Sequence, residues 1–116
     1  MPGRQVILIS PSMSGAYSLP YLSMFSEKLA GFVTVAPVGA TRISKATYGL
    51  IETPTLITYG SRDRHLGQQG AEYLRKLKNS KIVVIKNAGH ACYMNQPKVW
   101  HRHVRKFIKS IISTRH

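Results

Sequence analysis

Four short apolar runs, set at nearly equal intervals, constrain this chain more than any other feature. They are Val6–Ile9 (VILI), Phe32–Pro37 (FVTVAP), Thr55–Tyr59 (TLITY) and Lys81–Ile85 (KIVVI), starting at residues 6, 32, 55 and 81. Each is rich in β-branched residues and close to continuous rather than alternating. That pattern suits strands covered on both faces, as in parallel sheets. Each interval holds room for a helix and two loops, which is the spacing of a βαβ unit. The expectation is an α/β fold of about four parallel strands with right-handed crossovers and flanking helices.

The helices between the runs differ in quality. Ser14–Leu29 is a candidate, but Pro20 lies inside it and should kink it or remove a hydrogen bond. Ile43–Gly49 reads as a single turn. Gln68–Leu77 places Ala71, Leu74 and Leu77 on one face. Pro97–Ile112 is the best formed: Pro97 suits a first helical turn. Trp100, Val104, Phe107, Ile108, Ile111 and Ile112 make its apolar stripe, and Lys98, Arg102, Arg105, Lys106 and Lys109 its wet face. The tail Ser113–His116 is expected to fray.

Composition excludes several classes. At 116 residues and 43% hydrophobic, the chain fits one domain with a core and is short for two. One cysteine permits no internal disulfide and no Cys-only zinc site. With no His/Cys/acid spacing suited to ligation, neither a metal nor another cofactor is expected. No run approaches the roughly 18 apolar residues of a membrane span. The opening MPGRQVILIS is too short for a signal-peptide core, so an intracellular chain is expected. Seventeen Lys and Arg against four acids give a net charge of +13. The cations are dispersed and lack interleaved aromatic platforms, which favours a basic solvated surface over nucleic-acid binding.

In sheets of this kind, chemistry gathers beyond the carboxyl ends of the strands. The first run is followed by Ser10-Pro11-Ser12-Met13-Ser14-Gly15, the third by Gly60-Ser61-Arg62-Asp63, and the fourth by Asn87-Ala88-Gly89-His90. A hydroxyl, the chain's one aspartate and an imidazole therefore fall at three strand ends on one edge. Their chain order, Ser, Asp, His, is that of the α/β-hydrolases. A nucleophile elbow needs small residues around a strained strand-to-helix turn, and Ser10 and Ser14 flank Ser12 in that way. Ser14, flanked by Ser12 and Ala16, also fits, although Ser12 lies nearer the strand end. The Met13 amide would then face a developing oxyanion. His65, close to Asp63, suits a rim position. Cys92 reads as a buried, inert thiol, and Tyr17 and Tyr48 as packing residues.

The segments ILISPSMSGAYSLPYL, GFVTVAPV, TPTLITYG and NAGHACYMNQPKVWH resemble the α/β-hydrolase domain-containing protein 14 subfamily from about Val6 to Ile112. The resemblance implies Ser12 as nucleophile, Asp63 as acid and His90 as base, with the Met13 amide as oxyanion donor. It implies hydrolysis or acyl transfer on small ester or acyl substrates, no metal, and cytoplasmic or nuclear placement. Members of that subfamily are roughly twice this length. Residues 1–116 are therefore expected to form a single truncated domain lacking the N-terminal half, including the loop that normally gives a second oxyanion amide. Weak or absent activity is then expected, since one such donor is worth about 10²–10³ in rate. Two competing readings remain open here. One is a non-catalytic module that meets a protein partner through its basic last helix. The other is a phosphate-binding domain using the Ser/Gly loop.

Overall fold

The computed structural model describes residues 6–114. Four parallel strands form one sheet: β1 (Val6–Pro11), β2 (Leu29–Val35), β3 (Thr55–Gly60) and β4 (Ser80–Ile85). They lie side by side in chain order. Each connection crosses over one face of the sheet. On one side lie α1 (Gly15–Phe25), the single turn α2 (Lys45–Tyr48) and α3 (Gly70–Leu74). On the other lie α4 (Cys92–Asn95) and α5 (Pro97–Thr114).

Strand parity divides the core between these layers. Phe32 and Ile57 face the first side and pack with Leu19, Leu22, Tyr48 and Leu74. Val33, Val35 and Leu56 face the second and pack with Ile85, Trp100 and Val104. All seven residues of β2 are buried, as a continuous apolar run requires of a central strand. The Trp100 indole N–H donates to Thr58 Oγ1 (3.1 Å), whose hydroxyl donates to the Thr34 carbonyl (2.7 Å). That chain ties α5 to the two middle strands.

Several element boundaries differ from expectation. The first helix stops at Phe25, a 3₁₀ turn follows over Ser26–Lys28, and Leu29–Gly31 belong to β2 rather than to the helix and its loop. The reason lies in packing. Gly31 has low strand propensity, but a Cβ there would overlap the Ile111 side chain of α5, so a bare strand residue is needed where α5 crosses. β2 ends at Val35, not Pro37. α3 covers only the middle of Gln68–Leu77, because Arg64–Gln69 form a π turn in which the Gln68 amide reaches back to the Asp63 carbonyl (3.0 Å). α5 continues through Ser113 and Thr114, where fraying was expected; residues 115–116 lie outside the described ones.

β1 and β4 are the two edges. Along β1, Val6 and Ile9 are exposed, and beside it α1 exposes Tyr17, Tyr21, Met24 and Phe25 at helical spacing. No charged residue occurs between Arg4 and Glu27. β4, by contrast, begins and ends among lysines, Lys81 and Lys86.

Candidate active site

Ser12 sits at the tip of a sharp strand-to-helix turn. β1 ends at Pro11, a 3₁₀ turn covers Ser12–Ser14, and α1 starts at Gly15. Ser12 itself has φ +44°, a left-handed conformation that a side-chain-bearing residue adopts only under constraint. The constraint is visible on both sides. Before it, Ser10 is buried and its hydroxyl shares a hydrogen bond with Ser18 (2.6 Å). After it, the Val38 amide donates to the Ser12 carbonyl (2.9 Å). The residue that must be small for this approach is Gly15, not Ser14, which is exposed. A Cβ on Gly15 would lie 2.6 Å from both Pro37 Cβ and the Val38 carbonyl oxygen. Met13 follows directly and opens the helical turn, its side chain pointing to solvent.

Asp63 and His90 come from the ends of β3 and β4. The amides of Ser61 and Arg62 donate to the carbonyls of Ile85 and Ala88, each at 2.9 Å, so the two loops are bonded to each other. Gly60 lets them touch: a Cβ there would overlap the Ala88 and Gly89 carbonyls. The Asn87 amide donates to Ser61 Oγ (3.1 Å) and the Gly89 amide to Asn95 Oδ1 (2.8 Å). These contacts aim the His90 ring.

The result is a continuous chain. His90 Nδ1 lies 2.8 Å from Asp63 Oδ2, and His90 Nε2 lies 2.6 Å from Ser12 Oγ. An ionised carboxylate only accepts, so Nδ1 carries the proton toward Asp63 and Nε2 accepts from the Ser12 hydroxyl. The Asp63 side chain is 7% exposed and that of His90 42%. The carboxylate is thus shielded while the ring and the serine open to solvent.

The other candidates separate from this cluster. Ser14 takes no part in the hydrogen-bonded chain. Cys92 is fully buried on the far layer, and burial pushes its thiol pKa up, against reactivity. Tyr48 is buried, with its hydroxyl donating to the Ala40 carbonyl (2.8 Å). Tyr17, expected as a packing residue, is instead 83% exposed. His65 lines a small pocket of about 110 Å³ between Gly39–Thr41 and the π turn. Among the described residues, no group of three His, Cys, Asp or Glu is placed to hold a metal, and no helix is long and apolar enough to cross a membrane. Asn95, at the end of α4, and Ser61, in the loop after β3, are a lone amide and a lone hydroxyl that carry no spacing signal in the sequence.

No family model matches the chain. It is 42% identical over 105 residues to ABHD14B of Homo sapiens, a protein named as a candidate protein-lysine deacylase, and 45% identical over 108 residues to ABHD14A of Danio rerio. Over nine-tenths of its length the chain resembles the ABHD14 proteins. These alignments cover 90% and 93% of this chain but 50% and 40% of the two relatives, so it spans about half the length of the ABHD14 proteins it matches. Solved structures agree on the fold. A predicted CIB-like hydrolase from Thermoplasma acidophilum superposes with a TM-score of 0.83 at 21% identity, over 92% of this chain and 52% of that one. The serine hydrolase CCSP0084 from Cycloclasticus zankles gives 0.82 at 15% identity, over 93% and 65%. The four-stranded ABHD14-type sheet is thus part of an α/β-hydrolase fold.

Proposed function

We propose that this chain carries the Ser12–His90–Asp63 triad of a serine acyl hydrolase or acyltransferase. As a single domain, it would correspond to the C-terminal half of the ABHD14 proteins. The carrying observation is the unbroken hydrogen-bond chain from the Ser12 hydroxyl through the His90 ring to Asp63. Ser12 Oγ would attack the acyl carbon while His90 Nε2 takes its proton; Asp63 would hold the ring and balance the imidazolium. The Met13 amide would donate to the tetrahedral oxyanion. His90 would return the proton to the leaving amine or alcohol, leaving an acyl-serine. Water, or another acceptor, then gives its proton to His90 and takes the acyl group, and Ser12 is regenerated.

The name of the human relative points to acylated lysine amines as one substrate class, and small acyl esters suit the same chemistry. With Met13 as the one assigned oxyanion donor, turnover by these 116 residues is expected about 10²–10³ below that of a two-donor site. The test is labelling of the folded chain by a fluorophosphonate. A single adduct on Ser12, abolished by Ser12→Ala and competed by a small acyl ester, is expected. Absence of labelling in a chain with a cooperative melt, or labelling that persists in Ser12→Ala, refutes the reading.

A further inference from the structure

The free edge of β4 carries features that the hydrolytic reading does not use. β3 takes one side of β4: the Thr55 amide donates to the Asn79 carbonyl and the Ser61 amide to the Ile85 carbonyl, each at 2.9 Å. Both acceptors are odd-numbered, and backbone groups alternate sides along a strand. The N–H and C=O groups of Ile82 and Val84 therefore point away from the sheet. Beside that edge, between β4 and α5, runs a groove in two stretches that meet at His103. One, of about 410 Å³, is bounded by Val84, Lys86, Asn87, Gln96 and Val99. The other, of about 260 Å³, is bounded by Lys81, Val83, Lys106 and Phe107 among others. The floor is apolar and half-buried: Val83, Val99 and Phe107 pack on the core beneath. The rim is cationic, and none of the chain's four acids lines either stretch. The positive potential registers on His103, whose pKa is lowered by burial and then by Arg102, Lys81 and Lys106.

We infer that the β4–α5 groove binds an extended acidic polypeptide segment, which adds as a strand along Ile82 and Val84. Three requirements converge on that occupant. Free backbone groups ask for a strand. An apolar floor under one face asks for Val- or Ile-like side chains at alternate positions. Lys81, Lys86 and Lys106 ask for Asp or Glu near them. A basic partner is excluded by charge, and a structureless polyanion would leave the floor and the edge unsatisfied. Lysines on a sheet edge also deter like-charged strands, so the same residues that discourage pairing between copies favour an acidic one. The inference stands apart from the triad and does not need it.

The probe is a fluorescein-labelled eight-residue peptide with Asp or Glu at its first two and last two positions and Val or Ile between, so that acids reach Lys81, Lys86 and Lys106 on the face that covers Val83, titrated with the full chain at low salt and read by anisotropy. The same peptide with proline at alternate positions of its apolar middle keeps the charge and loses the strand. Expected are binding at least tenfold tighter than the proline copy and amide shifts centred on Ile82 and Val84. Lys81→Glu/Lys106→Glu should weaken binding about tenfold or more, while Lys28→Glu, an exposed lysine just before β2, should change it less than twofold. Should the reversed pair not fold, Lys81→Gln/Lys106→Gln serves, with about a threefold loss expected. Equal binding of the proline copy, shifts located elsewhere, or equal loss in Lys28→Glu would each overturn the inference and leave only a general polyanion surface.

Discussion

Two helical glycines make opposed predictions from one substitution. Gly15 and Gly70 both have ordinary helical backbone angles, φ near −60° in each. On backbone entropy alone, alanine at either site should stabilise by about 0.4–1 kcal/mol. The surroundings differ. A Cβ at Gly70 would meet Ala40 Cβ at 3.4 Å, ordinary contact. A Cβ at Gly15 would stand 2.6 Å from Pro37 Cβ and from the Val38 carbonyl oxygen, and 2.9 Å from the Val38 amide nitrogen. Optimal carbon separations are about 3.5–4.0 Å, so roughly 1 Å must be found. Two of the three obstacles are backbone and do not rotate away. Overpacking of this kind costs about 1–3 kcal/mol. Moving the Val38 strand-end loop also threatens its bond to the Ser12 carbonyl, worth about 0.5–1.5 kcal/mol. Gly15→Ala is therefore expected to destabilise by about 1–3 kcal/mol net, and Gly70→Ala to stabilise by up to about 1 kcal/mol. For a domain of this size, the melting temperature should fall by about 4–12 °C in the first case and rise by about 2–4 °C in the second. Because displacing a nucleophile by about 1 Å costs on the order of 10² in rate, fluorophosphonate labelling of folded Gly15→Ala should slow sharply. The same rise in melting temperature at both sites, with labelling unchanged, would refute the account of the elbow as held by close backbone approach.

Three further outcomes follow from the same contacts. Asp63→Asn should leave the melt within about 1 kcal/mol of the parent yet slow acylation about 10⁴-fold, because an amide no longer fixes the tautomer; burst kinetics with an activated ester check this. Trp100→Phe removes the 3.1 Å bond to buried Thr58 and part of a buried ring, and should cost about 1–3 kcal/mol by urea melts followed by far-UV circular dichroism. His103 should titrate below free histidine in a proton-carbon NMR series. Its lowered folded-state pKa means the unfolded chain binds more protons, so its contribution to stability is present above about pH 6.5 and lost as pH falls below it. His103→Gln should flatten that acid limb; a steeper limb would contradict the sign.

The sheet was legible because continuous β-branched runs have few alternatives, and the order of Ser12, Asp63 and His90 was legible because each follows such a run. What lay outside the sequence was close approach. Gly15, Gly31 and Gly60 are each required by an atom far away in the chain: Pro37, Ile111 and Gly89 respectively. Gly31, just ahead of the apolar run that starts at Phe32, is strand interior. The π turn at Arg64–Gln69 leaves no sequence signal because local periodicity cannot register a hydrogen bond reaching one residue further than usual. Asn95 supports the His90 loop from α4, an element too short to leave an apolar pattern.

The uncharged β1–α1 flank gives the molecule two sides that answer oppositely to salt. Cations elsewhere keep copies apart at low ionic strength, over a Debye length of about 10 Å at 0.1 M. Adding salt shortens that reach, so any meeting of the neutral flanks formed by exposed Val6, Ile9, Tyr21 and Met24 is expected to be favoured as screening improves. The lysine-rimmed groove loses hold of an acidic segment over the same range. Ionic strength is thus a dial that trades one edge of the sheet against the other.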